Sequence, residues 1–170
     1  MRLSTTRLDL LACTPSIITA DLGRDHAALA ALLGARVPLG WPPDLWSEGA
    51  LRHLLQWMAK EPADEGWGAW YVTRRDDPML VGTVGLKGRP HDGTAEIGYT
   101  FVAEARGNGF ATEAAAALVA WAFGHPEVRR VCAQTLPDHV PSLRVMQRLG
   151  FTYAGPGSEG NTVCYDIYRR

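Results

Sequence analysis

The chain has 170 residues, a formal net charge of −1 at neutral pH, 46% hydrophobic residues and 21% charged ones. That length predicts one domain over residues 1–170 with room for a sizeable core. The near-neutral charge gives no electrostatic case for a nucleic-acid or membrane partner, and no apolar run is long enough to span a bilayer. Met1 to Ala20 lacks a charged segment followed by an uninterrupted apolar stretch, so no secretory leader is expected. Cys13, Cys132 and Cys164 are odd in number, far apart and without metal-ligand spacing. They read as reduced thiols buried in strands, and no metal is expected. These features predict a cytoplasmic protein, monomeric or homodimeric.

Along the chain, Arg7 to Ala12 alternates and reads as a strand. Pro15 to Leu22 and Arg24 to Leu33 read as helices, the second stopped by Gly34. Val37 to Pro43 is a Pro- and Gly-rich loop, and Asp44 is the expected N-cap of a helix running to about Met58. Gly66 to Thr73 and Met79 to Lys87 read as strands joined by a turn over Arg74-Arg75-Asp76-Asp77-Pro78. Thr94 to Val102 is a third strand. An Ala-rich helix from Gly109 to Phe123 ends at Gly124, with Pro126 beyond it. Val128 to Leu136 is a strand and Val140 to Leu149 a helix capped by Gly150. Phe151 to Ala154 and Val163 to Tyr168 are closing strands. This order predicts an α/β chain with a mixed sheet of about six to seven strands covered by helices.

The most informative stretch is Arg106-Gly107-Asn108-Gly109-Phe110-Ala111-Thr112-Glu113. A strand runs into two glycines one residue apart, and a helix follows. Glycines let the backbone approach a ligand, and the first N–H groups of a helix have no internal partner. With the positive end of the helix dipole they suit a pyrophosphate. Thr112 stands where the dinucleotide fingerprint needs its third glycine, and no Gly-Lys-Ser/Thr of a Walker loop follows. Alone, such a turn is equally a tight turn that needs positive φ.

Arg106-x-x-Gly109-x-Ala111 resembles the R/Q-x-x-G-x-G/A turn of the GNAT superfamily of acyl-CoA-dependent N-acyltransferases. Val140-Pro141-Ser142-Leu143-Arg144-Val145-Met146-Gln147-Arg148-Leu149-Gly150-Phe151 resembles that family's later helix ending in Leu-Gly-Phe. Thr6-Arg7-Leu8-Asp9-Leu10 resembles the opening strand of the branch related to ribosomal-protein alanine N-acetyltransferases. The resemblance runs from Thr6 to Phe151. It implies a splayed sheet with the cofactor, acetyl-CoA, in the gap between its two central strands.

The resemblance also implies roles. Arg106, Gly107, Asn108, Gly109, Phe110, Ala111 and Thr112 would hold the pyrophosphate, with Arg106 either adding a charge-assisted contact or simply solvated. Backbone groups of Tyr99, Thr100, Phe101 and Val102 would meet the pantetheine arm. His139 stands where the family often has an asparagine on that arm, and otherwise reads as an exposed loop histidine. Arg144 and Arg148 share a helix face, and one of them, Arg148 by preference, would reach the 3′-phosphate unless the face is merely solvated.

Transfer to an amine also needs a base and an acid. Glu96, the acidic residue on the strand Thr94 to Val102, is the base candidate, against the alternative of a structural carboxylate. Glu104 and Glu113 are weaker candidates, Glu113 being accounted for by the helix dipole. Many relatives carry a tyrosine acid at the position that Met146 occupies here. Ser142 is therefore the acid candidate, against a helix-capping role; Tyr99, Tyr153 and Tyr165 are further possible acids. No nucleophilic triad is evident, which favours direct attack in a ternary complex. Trp41, Trp46 and Glu96 would contact the acceptor, although the two tryptophans could equally be core or a dimer contact. The expected function is an N-acetyltransferase acting on a primary amine of a small molecule or a peptide N-terminus. The alternative is a non-catalytic acyl-CoA-binding sensor.

Overall fold

The computed structural model describes residues 1–62 and 64–170. In chain order the strands are β1 (Arg2–Ser4), β2 (Leu8–Ala12), β3 (Ala69–Arg74), β4 (Leu80–Leu86), β5 (Thr94–Phe101), β6 (Arg130–Thr135), β7 (Thr152–Pro156) and β8 (Val163–Tyr168). The helices are α1 (Pro15–Leu22), α2 (His26–Leu33), α3 (Glu48–Lys60), α4 (Phe110–Phe123) and α5 (Val140–Arg148). One sheet takes all eight strands in the order β1-β2-β3-β4-β5-β6-β8-β7. The strand beyond the expected number is β1, a three-residue edge strand too short to carry a periodic signal.

Side-chain alternation divides the helices between the two faces of the sheet. Trp70, Val84 and Tyr99 stand in register across β3, β4 and β5. Their face belongs to α4, since Trp70 packs edge-on against Trp121. Tyr71, Thr83 and Thr100 form the next row, on the opposite face. That face is claimed by α1, because the Tyr71 hydroxyl donates to Asp21 at 2.7 Å. The core runs through both layers, from Ile18 and Leu29 on one side to Ala114, Leu118 and Met146 on the other.

β5 and β6 are parallel, and their pairing is short. It runs from Thr94↔Arg130 to Ile97↔Ala133 and stops. β5 continues to Phe101 held only by β4, through Gly82↔Phe101. β6 continues to Thr135 held only by β8, through Thr135↔Val163. The sheet is therefore splayed beyond Ile97 and Ala133.

The loop before α3 differs from expectation. Ser47 is the N-cap, its Oγ accepting from the Ala50 N–H at 3.2 Å. Asp44 is used elsewhere: its carbonyl accepts from Thr100 Oγ1 at 2.6 Å and its carboxylate pairs with Arg106 at 3.0 Å. The loop is anchored by Asp21, fully buried in α1. One oxygen of its carboxylate accepts from Trp41 Nε1 and the other from Trp46 Nε1 and Tyr71 Oη, each at 2.7 Å. No helix among the described residues is long and apolar enough to cross a membrane.

Two stability predictions follow from this burial. Asp21→Ala orphans three hydrogen-bond donors at once, so the unfolding free energy should fall by about 3 kcal/mol in a denaturant titration. A loss below about 1 kcal/mol would mean that water replaces the carboxylate. The second concerns alkali. Burial pushes the Cys13 thiol up to about 11. Burial, followed by the charge of Asp21, pushes the Tyr71 phenol far above its ordinary value. Above about pH 9 the unfolded chain releases these protons while the folded chain keeps them, so stability should fall as pH rises. Cys13→Ala should flatten the part of that fall between pH 9 and 11. An unchanged slope would show that Cys13 contributes nothing to it.

Candidate active site

The strand β5 leads into the glycine turn through a single 3₁₀ turn, Ala103–Ala105. Gly107 and Gly109 both take left-handed φ, +79° and +78°. A Cβ on Gly107 would meet nothing within 4 Å, so it is backbone conformation and not crowding that requires glycine there. Asn108 closes the turn, its Nδ2 donating to the carbonyls of Ala105 and Arg106. Gly109 is the N-cap of α4 and has no side chain to cap it. The first intrahelical bond runs from the Glu113 N–H to the Gly109 carbonyl at 3.0 Å. Among the described residues, no protein group accepts from the N–H groups of Gly109, Phe110, Ala111 and Thr112. Four free donors at the positive end of a helix of 14 residues form a cradle for a diphosphate.

The gap between β5 and β6 opens beside this turn. The Lys87 N–H donates to the Glu96 carbonyl, and the Val102 N–H to the Val81 carbonyl. Even-numbered residues of β5 thus spend their backbone groups on β4. By alternation Tyr99 and Phe101 turn theirs toward the gap, whereas Thr100 and Val102 do not. The Phe101 carbonyl is already taken by Arg106 Nε at 3.2 Å. Arg106 is exposed, and its other contact is the Asp44 carboxylate, so it ties the end of β5 to the loop before α3.

α5 closes the gap on the α4 face. Tyr99 Oη donates to the Ser142 carbonyl at 3.2 Å, and burial pushes this phenol up to about 12. Ser142 does not cap α5: the N-cap is His139, with no side-chain cap bond. The Ser142 hydroxyl has no hydrogen-bond partner among the described residues. His139 places Nδ1 3.3 Å from Thr135 Oγ1, at the end of β6. Met146, where many relatives have tyrosine, is buried in the core. Arg144 and Arg148 are exposed on α5 and have no ion-pair partner among the described residues. Tyr153 and Tyr165 pack edge-on against one another on β7 and β8.

Glu96 points to the other face, in register with Cys132 and one residue before the pairing ends. Lys87 Nζ lies 2.5 Å from its Oε1, and Gln134 Nε2 donates to its Oε2 at 3.1 Å. Beyond it Gly98 leaves the sheet bare, with nothing within 4 Å of a Cβ placed there. Trp41 is 5% exposed and belongs to the core, not to a pocket wall open to solvent. Trp46 is half-buried, with its indole N–H on Asp21.

Sequence reasoning passed over several residues. Lys87 and Gln134 reach Glu96 only through strand register, which no local pattern encodes. Arg7 and Thr5 reach Glu113 from the far end of the chain. Asp21 had one local signal, a lone carboxylate within the apolar run of α1. Among the described residues, Cys132, Cys164 and Asp166 bring three possible metal-binding atoms within 4.8 Å. Asp166 is already paired with Arg130 at 2.9 Å and accepts from the Cys164 thiol, so the group is satisfied as a hydrogen-bonded cluster.

Comparison with known proteins gives this arrangement a family. The model of the acetyltransferase (GNAT) domain matches residues 21–152. The uncharacterised N-acetyltransferase YjdG of Bacillus subtilis is 29% identical over 150 residues, 88% of each chain. RimL, a ribosomal-protein alpha-N-acetyltransferase solved in complex with coenzyme A, superposes with a TM-score of 0.69 at 20% identity, covering 99% of this chain and 98% of its own. The ribosomal-protein-S5-alanine acetyltransferase of Vibrio fischeri gives a TM-score of 0.66 at 19% identity, with 99% and 96% covered. A left-handed glycine turn, uncapped helix donors and a splayed sheet agree with that match: the chain belongs to the GNAT acetyltransferase family and is an acyl-CoA-dependent acetyltransferase with acetyl-CoA as its co-substrate.

Proposed function

We propose that the enzyme acetylates a primary amine, on a small molecule or a peptide N-terminus, by direct transfer with both substrates bound together. The observation that carries this reading is the Lys87–Glu96 pair beside the gap. An alkylammonium already sits 2.5 Å from the Glu96 carboxylate. Lys87 is more than half exposed, and surface pairs of this kind are worth about 0–1 kcal/mol. An incoming ammonium can replace it at little cost. The relatives named for acetylation of ribosomal proteins support a peptide amine as one acceptor class.

Acetyl-CoA supplies the acetyl group as a thioester. The chain would hold it through the N–H groups of Gly109 to Thr112 at the diphosphate and through the gap-facing backbone of Tyr99 along the arm. An ammonium must lose a proton before its nitrogen can attack. Glu96 takes that proton, directly or through one water, once Lys87 has moved aside. Gln134 keeps the carboxylate oriented from its second oxygen. On the opposite face, as the C–S bond breaks, the unpartnered Ser142 hydroxyl passes a proton to the departing sulfur and takes one in turn from solvent, so that the thiol leaves and the serine stays neutral. Tyr99 holds the start of α5 at the gap by its bond to the Ser142 carbonyl.

The basic test follows thiol release from acetyl-CoA with a panel of polyamines, amino acids, aminoglycosides and peptides bearing free N-termini. Release that depends on one amine class supports the reading; release with none of them overturns it. Glu96→Gln should lower kcat by roughly 10²-fold or more at neutral pH, with a smaller loss at high pH where free amine is abundant. Wild-type turnover in that variant removes Glu96 as the base. Ser142→Ala should lower kcat by about 10-fold or more while the coenzyme A dissociation constant changes less than about twofold. Equal loss in kcat and affinity would make Ser142 a binding residue instead.

A further inference from the structure

Glu113 sets two anions against each other. It lies in the first turn of α4, where a carboxylate is favourable to the helix dipole. The diphosphate would draw on the same positive end. Burial raises the pKa of this carboxyl, but hydrogen bonds from Thr5 and from the backbone and side chain of Arg7 outweigh burial and hold it below its ordinary value. Glu113 is therefore charged, and only a cation can offset it.

Arg7 is that cation, and it does more than pair. Its Nε and Nη2 are each 2.7 Å from Glu113 Oε2. Its backbone N–H and Thr5 Oγ1 donate to Oε1 at 2.9 and 2.6 Å. Its remaining arm, Nη1, donates to the Asn108 carbonyl at 3.0 Å. Nη2 lies 3.5 Å from where a Cβ on Gly109 would stand, and the guanidinium covers the Phe110 ring at 4.9 Å from its centroid. One side chain, just before β2, thus reaches Asn108, the ring of Phe110 and the carboxylate beyond, and flanks Gly109.

We propose that Arg7 is a positioning residue for acetyl-CoA: it cancels the charge of Glu113 at the start of α4, leaving the free N–H groups and the positive helix end to the diphosphate. This rests on the reading that the diphosphate lies at residues 107–112. Charge balance makes a distinctive demand. Removing the cation alone leaves a bare carboxylate against the phosphates. Removing both charges restores the site.

The test measures coenzyme A dissociation constants at low ionic strength by titration calorimetry, with the melting temperature of each free variant as a control for folding. Arg7→Met should weaken binding about 5- to 10-fold, less at high salt. Arg7→Lys should stay within about twofold of wild type, since the charge remains. Glu113→Gln should bind as tightly as wild type or tighter, and Arg7→Met/Glu113→Gln should recover most of the loss. Pantetheine, which lacks the diphosphate, should bind wild type and Arg7→Met alike. A double variant as weak as Arg7→Met, or an Arg7→Met with wild-type affinity, overturns the proposal. Gly109→Val separates the two layers. If it folds and binds coenzyme A normally, the diphosphate reading fails and takes this one with it. If it loses affinity while Arg7→Met does not, only the role of Arg7 fails.

Discussion

The parallel pairing of β5 and β6 ends after Ile97 and Ala133, and the rest of the site depends on that ending. A parallel pair satisfies backbone groups only while the strands stay adjacent. Once they part, Tyr99 turns its N–H and carbonyl away from β4 toward the gap, while the Phe101 carbonyl is taken by Arg106. β4 and β8 keep the two halves rigid, because each follows its own neighbour past the point of separation. The gap is thus a fixed interruption in the sheet, and it has two sides. α4 and α5 bound one; the bare patch at Gly98, with Glu96 beside it, bounds the other. Under the proposed function, a thioester in the gap would be reached by a proton donor from one face and by an amine from the other.

The same ending explains why the two candidate proton-transfer residues never meet. Glu96 and Ser142 lie on opposite faces, with β5 between them. A carboxylate and a hydroxyl in direct contact would hydrogen-bond to each other, and neither would be free for a substrate. Separated by the sheet, in the proposed mechanism one would take a proton where the amine enters and the other would give one where the sulfur departs. Tyr99 serves this division: its backbone faces the gap while its hydroxyl holds the carbonyl of Ser142.

Much of this was legible from local pattern. Pro15–Leu22 and Val163–Tyr168 have the expected bounds, and the α4 helix starts one residue from its predicted start. Period and stop signals suffice for such elements. The glycine turn was legible because its requirement is local: positive φ at two positions directly before a helix. What escaped notice is long-range. Asp44 has the composition of an N-cap, but Ser47 lies closer to the apolar run, and Arg106 and Thr100 claim Asp44 from 62 and 56 residues away. Trp41 and Trp46 suggested an aromatic pocket. The reason they turn inward is Asp21, some 20 residues upstream, whose carboxylate is useful only once two indoles and a phenol have gathered around it.

These long-range contacts form a chain of their own. Asp21 fixes Trp41 and Trp46 and so fixes the loop between them. Asp44, inside that loop, holds Arg106, and Arg106 holds the Phe101 carbonyl at the mouth of the gap. The loop before α3 is thereby joined to the strand end from which the glycine turn departs. Arg7 and Glu113 grip the far side of the same turn from the N-terminal segment. The turn is held from both flanks by charged side chains, none of which is one of its glycines. That arrangement suits left-handed backbone: Gly107 and Gly109 supply the conformation, Asn108 closes the turn from within, and Arg7 and Asp44 add contacts from elsewhere in the chain, so that the four free N–H groups would meet a diphosphate without first being ordered.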